Sequence, residues 1–187
     1  MRNTFVLLLL IALISCKKSE KKEVQRKEKP EINRLQKHTI KTALEQSSKQ
    51  TIDAWKEYTI VEENLKKFTS ISANEALNNA IQLTKSVKKM KDSIRPKELI
   101  NPSFRTRINV LENEALRLKD MTLIPAITAN EIHQQVDKIM EAFSATNSKI
   151  NTVYSQLNVE KEIQNSTKKR TDNTRKRIEL RKKEERP

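Results

Sequence analysis

The sequence predicts an all-α fold: an up-down-up-down four-helix bundle built from two helical hairpins, with helices one and four extended as a two-helix stalk. Three observations predict it. No glycine occurs among the 187 residues, whereas Lys, Glu, Asn, Ile, Leu and Ala are plentiful, a composition suited to long helices. Apolar residues recur at alternating four- and three-residue steps in four stretches, the spacing that places side chains on one helical face. Two near-identical capping boxes and several prolines separate those stretches.

The first helix is expected over residues 31–69, opened by Pro30, which suits a first helical turn. Its seam reads Ile40, Leu44, Ser47, Thr51, Ala54, Tyr58, Val61, Leu65 and Phe68, with Trp55 flanking it. Ser72-Ala-Asn-Glu75 then forms a capping box, in which hydroxyl and carboxylate each satisfy a free backbone donor. The second seam, Ala76, Ala80, Leu83, Val87, Met90 and Ile94, ends at Pro96, which disfavours a helical predecessor. Asn101-Pro102 restarts the chain as cap and first helical residue. Phe104, Ile108, Leu111, Ala115, Leu118 and Thr122 form the third seam, closed by Pro125.

Thr128-Ala-Asn-Glu131 repeats the capping box, and an offset of 56 residues superimposes Ala76 on Ile132, Ala80 on Val136 and Leu83 on Ile139. That correspondence favours duplication of a hairpin. The fourth seam is Ile132, Val136, Ile139, Phe143, Thr146, Ile150, Val153 and Leu157. Short connections make neighbouring helices antiparallel. Counting back from both turns puts Leu44 level with Tyr154 and Leu35 level with Ile163, and that overhang is the expected stalk. Ser47 and Thr51 would meet Thr146 and Asn147 in a polar layer near the base of the bundle.

At the start of the chain, Arg2 precedes an unbroken apolar run over residues 5–14, which reaches about 15 Å as a helix against about 30 Å of bilayer hydrocarbon. The run therefore reads as a secretion signal rather than an anchor. Its ending, Leu13-Ile-Ser-Cys16, resembles the lipobox of bacterial lipoprotein precursors. The resemblance implies cleavage between Ser15 and Cys16, and lipidation of Cys16 with acylation of the new amino terminus. The expected organisation is a signal peptide over residues 1–15, a lipidated, charged tether over 16–30, the bundle with its stalk over 31–165, and a basic tail over 166–187. Cys16 is the only cysteine, so a lipidated chain has no disulfide and must be held by packing.

The full chain carries a net charge of +14. Residues 17–37 hold nine Lys or Arg against four Glu, and residues 158–187 hold eleven against six Asp or Glu. The stalk would bring both basic ends to the membrane-proximal side. Anionic headgroups and anionic envelope polymers are the partners such a surface would meet, beside the membrane held through the lipid and a further envelope protein. Nucleic acid is not expected, because aromatic residues that could stack on bases are missing from both ends.

Lacking glycine, the chain cannot supply a phosphate loop, a dinucleotide fingerprint or a nucleophile elbow. His38 and His133, the only imidazoles, stand at no metal-ligand spacing and read as helix-surface residues. No catalytic residue, cofactor or metal is expected. The remaining candidate site is a contact patch of Phe68, Ile71, Leu123, Ile124 and Ile127 at the hairpin turns, expected at the pole farthest from the membrane. Its rival role is to cap the core, with Ile71 and Ile127 as hydrophobic staples.

The Cys-Lys-Lys start and Lys/Asn/Ile-rich chain resemble helical envelope lipoproteins of the flavobacterial kind. That likeness implies location, with the outer membrane favoured because Lys17 stands where inner-membrane retention uses Asp. The expectation is a non-enzymatic scaffold or binding protein. One alternative is a basic periplasmic chaperone or stress sensor, a class carrying Leu-Thr-x-x-Gln, from which Leu83-Thr-Lys-Ser-Val87 departs at its last position. Another is a metal- or haem-binding bundle, for which Met90 and Met140 are the available ligands.

Overall fold

Three of the helices among the described residues begin where the sequence supplies caps. In the computed structural model, which describes residues 30–184, the Ser72 hydroxyl accepts the Glu75 N–H at 3.3 Å, while the Glu75 carboxylate accepts the Ser72 N–H at 3.0 Å. This box opens helix α3, and Thr128 and Glu131 repeat the reciprocal pair at the start of the last helix, at 3.3 and 2.9 Å. Asn101 accepts the Phe104 N–H at 2.9 Å, with Pro102 in the first turn. The helices of the described residues are α1 (Gln46–Ile52), α2 (Lys56–Lys67), α3 (Ala73–Asp92), α4 (Pro102–Met121) and α5 (Ala129–Glu184). Short 3-10 turns occupy Pro30–Asn33 and Lys97–Leu99. The described residues are thus mostly helical, all-α in class, with one small ribbon. In it β1 (Leu35–Lys37) pairs antiparallel with β2 (Ser70–Ser72), Leu35 opposite Ser72 and Lys37 opposite Ser70.

The core follows the seams of the second, third and fourth stretches. Ala76, Ala80, Leu83, Val87 and Met90 of α3, Phe104, Ile108, Leu111, Ala115 and Leu118 of α4, and Ile132, Val136, Ile139, Phe143 and Ile150 of α5 are all buried. Antiparallel neighbours are fixed by polar contacts between helices. The Thr84 hydroxyl donates to the Ala115 carbonyl at 3.0 Å, and the Gln135 amide donates to the Glu114 carbonyl at 2.9 Å. Helix α2 packs on α3, while α1 and α3 both touch α5. Trp55, Tyr58, Phe104 and Phe143 interlock at one level, with ring centroids 5.6 to 6.3 Å apart. Such aromatic packing adds to the burial term that dominates folding.

The first stretch departs from expectation. Residues 31–69 are not one helix: the chain is extended from β1 to residue 45, and a turn at residues 53–55 separates α1 from α2. Residues 38–45 contain Thr39, Ile40 and Thr42, β-branched side chains that lose rotamer freedom in a helix. The buried residues here are Ser48 and Ile52 of α1 and Trp55 in the turn after it, one residue out of step with the expected Ser47, Thr51 and Ala54, which are exposed. From Tyr58 onward the expected seam is the buried one.

The two-helix stalk does not form. Leu35 lies opposite Ser72 rather than level with Ile163, and α5 continues with residues 158–181 all exposed and, among the described residues, no partner helix beside them. Helix α5 runs without a break through residue 166 to Glu184. A helix already nucleated in the bundle needs only propagation, which the Lys, Arg, Glu and Gln of this stretch support.

The reversal also moves the poles. Residues 31–37 lie beside Ala129 and Asn130 at the start of α5, so the chain enters the bundle at the end where the 122–128 turn lies. The C-terminal part of α5 leaves from the opposite end. Residues 31–37 and the exposed, basic part of α5 therefore do not share a side.

Candidate functional site

The apolar seam of α5 has a polar companion displaced by one residue: His133, Asp137, Ser144, Asn147 and Asn151, with Met140 between them. These positions repeat the four-three spacing and so form a second stripe on the same helix. Residues 38–45, here the strap, run along that stripe parallel to α5. Ser144 Oγ accepts the Lys41 N–H at 2.9 Å, and the Asn147 amide donates to the Thr42 carbonyl at 2.8 Å. Asn151 donates to the Ala43 carbonyl at 2.9 Å and accepts from the Glu45 N–H at 3.0 Å and the Ser48 hydroxyl at 3.1 Å. Asn147 also accepts from the Tyr58 hydroxyl at 2.8 Å, tying α2 to the same stripe, and burial raises the Tyr58 pKa. An extended segment has backbone donors and acceptors with no helical partners. The stripe supplies them.

The upper end of the strap is held by imidazoles. Asp137 Oδ1 lies 2.7 Å from His38 Nδ1, and His38 Nε2 lies 3.1 Å from His133 Nδ1. The rings stack at a centroid distance of 5.2 Å, and both residues are buried. The carboxylate can only accept, so His38 donates to it from Nδ1. With both rings neutral, His38 Nε2 accepts from His133 Nδ1, leaving His133 Nε2 as an acceptor. Burial lowers the His133 pKa, the nearby His38 lowers it further, and Asp137 opposes both. His133 also borders an open cleft of about 530 Å³, whose walls include Glu31, Arg34 and Lys37. Both histidines are thus interior latch residues rather than the surface residues expected. Their signal in the sequence is the polar heptad stripe, visible only once α5 is read as carrying two adjacent stripes.

The expected patch divides. Phe68 and Ile71 are buried, which removes them from any surface patch, and Ile127 is half-buried against the core. Leu123 is 80% exposed and Ile124 is 47% exposed. These two lie in the 122–128 turn, at the pole where residues 31–37 approach α5, not at the opposite end. Ser15 and Cys16 lie outside the described residues. Met90 and Met140 are both packed in the core. Ser47 and Thr51 are exposed, and Thr146 donates to the Ala142 carbonyl, so the polar layer proposed around them is replaced by the strap contacts of Asn147. Among the described residues no group of three His, Cys, Asp or Glu is placed to hold a metal ion, and no helix is long and apolar enough to cross a membrane. No model of a known family, no curated protein and no solved structure matches this chain.

Proposed function

We propose that this chain is a non-enzymatic, lipid-anchored helical protein of the cell envelope, acting as a spacer or scaffold. The lipid on Cys16 would anchor one pole, and α5 would project from the other. In this reading α2, α3, α4 and α5 are the four helices of an up-down-up-down bundle, a reading supported by the sequential packing of α2 on α3, α3 on α4 and α4 on α5. The observation that carries the functional reading is the opposition of the poles. The strap reverses the course of the chain, so that residues 31–37 lie at one end of the bundle and the exposed part of α5 leaves from the other. Helix α5 has 56 residues and is about 84 Å long, of which the last 27 residues, about 40 Å, extend beyond the packed region.

The anchor and the orientation are tested separately. Cys16→Ser should abolish processing and partition of the protein into the detergent phase, because acyl chains on that residue are what hold it there. Unchanged mature mass and partition would exclude the anchor. Because Cys16 is the only native cysteine, Ala126→Cys and Asn173→Cys give single added labelling sites on the lipidated protein. In membranes, a fluorophore on residue 126 should be quenched by spin-labelled lipid headgroups and one on residue 173 should not. Equal quenching would show the molecule lying flat and overturn the spacer reading.

A further inference from the structure

The exposed part of α5 carries a repeated charge pattern that the bundle does not use. Lys168, Lys169 and Arg170 recur seven residues later as Arg175, Lys176 and Arg177, with Lys161 a further heptad before Lys168. Two helical turns separate the trios, about 10.5 Å along the axis. Between residues 163 and 178 the sole acidic residue is Asp172. All six trio side chains are exposed, and among the described residues none of them forms an ion pair. Six cations and one anion within ten residues give about one net positive charge per 3 Å of helix axis, a density that attracts condensed anions.

The apolar content separates two kinds of anionic partner. A helix that lies in a bilayer interface needs a continuous apolar face. Here Val159, Ile163, Ile178 and Leu180 are the large apolar residues of the extension, with none from 164 to 177, where the charge is concentrated. The trios also spread over about half the helix circumference, at 100° per residue, rather than along one edge. Such a surface suits a flexible chain that can wrap it, more than a flat headgroup plane.

We infer that residues 161–181 of α5 form a docking surface for a linear polyanion, an extended polymer bearing closely spaced phosphate or carboxylate groups. This deepens the spacer reading, since the same projecting helix becomes the part that reaches the partner. It does not depend on the anchor, and its test is arranged accordingly. Long-chain polyphosphate is titrated into the full-length Cys16→Ser chain in zwitterionic detergent micelles, so that loss of lipidation cannot affect the result. Binding should weaken about a thousandfold between about 50 and 200 mM salt if some six contacts release counterions. Replacing Lys168, Lys169, Arg170, Arg175, Lys176 and Arg177 by Gln, a comparable helix former, should remove at least a hundredfold of that affinity with the thermal midpoint unchanged. The inference is overturned by equal binding of the Gln variant, by affinity insensitive to salt, or by phosphatidylglycerol vesicles that bind these six side chains more tightly than polyphosphate does. The vesicle result would assign the surface to a bilayer instead.

Discussion

Asn151→Ala should be among the most damaging polar substitutions in this protein. The Asn151 side chain makes three hydrogen bonds, at 2.9, 3.0 and 3.1 Å, to Ala43, Glu45 and Ser48, and the residue is 7% exposed. Truncation leaves a carbonyl, a backbone N–H and a hydroxyl without partners, the bond to Ser48 being buried and the other two partly buried. At about 1 kcal/mol per net bond, and somewhat more for each group stranded, the loss should be about 2–4 kcal/mol. Asn173→Ala on the exposed part of α5 is the matched control, expected within about 0.5 kcal/mol of wild type. Urea denaturation gives both values, and a change in midpoint without a change in slope identifies a stability effect. Hydrogen exchange then locates it: the amides of Lys41 and Glu45 should lose protection in the variant before those of α3 and α4 do. A loss below about 0.5 kcal/mol, or unaltered exchange at those two amides, would refute the strap as a structural element.

The latch makes stability depend on pH. Burial holds the His133 pKa below its ordinary 6.5, so the unfolded chain takes up this proton first. Stability should be greatest above 6.5 and decline as pH falls from there to the lowered folded value, with a slope up to about 1.4 kcal/mol per pH unit for one proton. His133→Gln should flatten that dependence in urea midpoints taken through the window, and an unflattened profile would place its origin elsewhere. Phe143→Ala should cost about 3–5 kcal/mol, because the ring is fully buried and stacks on Tyr58. A small loss would mean that the site collapses around the cavity. Leu123→Ser with Ile124→Ser should change stability by no more than about 1 kcal/mol, since both side chains are largely outside the core, and a larger fall in melting would show that the turn folds over it.

The legible parts of the fold are those where one helical face does one task. Ser72 with Glu75, Thr128 with Glu131, and Asn101 with Pro102 are local signals, complete within four residues, and all three cap helices. The seams of α3 and α4 need only apolar spacing and are buried along nearly their whole length. In the first stretch apolar spacing misleads, because the seam is weak there. Ser47, Thr51 and Ala54 continue the arithmetic of the seam, but Ile52 and Trp55 carry the apolar surface, and burial follows surface. The strap was hidden for a different reason. Its extended state is stabilised by side chains about a hundred residues away, so local propensity and periodicity cannot reveal it. The same holds for His38 and His133, 95 positions apart and joined only by the strap's course.

Helix α5 organises the molecule because its faces change character along its length. Over its buried part it presents an apolar stripe to α3 and α4 and, one residue on, a polar stripe to the strap. A continuous apolar surface there would have favoured a partner helix, whose own backbone is already satisfied. Amides, a hydroxyl and imidazoles favour an extended partner, whose backbone is not. The choice has a consequence for topology. An antiparallel helix in the strap's place would have brought residues 31–37 toward the projecting end of α5. A parallel strap instead keeps residues 31–37 beside the start of α5, while the charged part of that helix stands exposed at the other end. The polar stripe thereby separates the pole proposed to meet the membrane from the helix proposed to meet a polyanion. Swapping Asn147 and Asn151 for Leu together tests that link between side-chain chemistry and topology. If the stripe dictates the parallel course, the double variant should lose strap protection in hydrogen exchange while α3 to α5 remain folded, and a label on residue 37 should no longer lie close to one on Asn130. If both the protection and the proximity survive, the β1–β2 pairing alone sets the course of the chain, and the stripe only reinforces it.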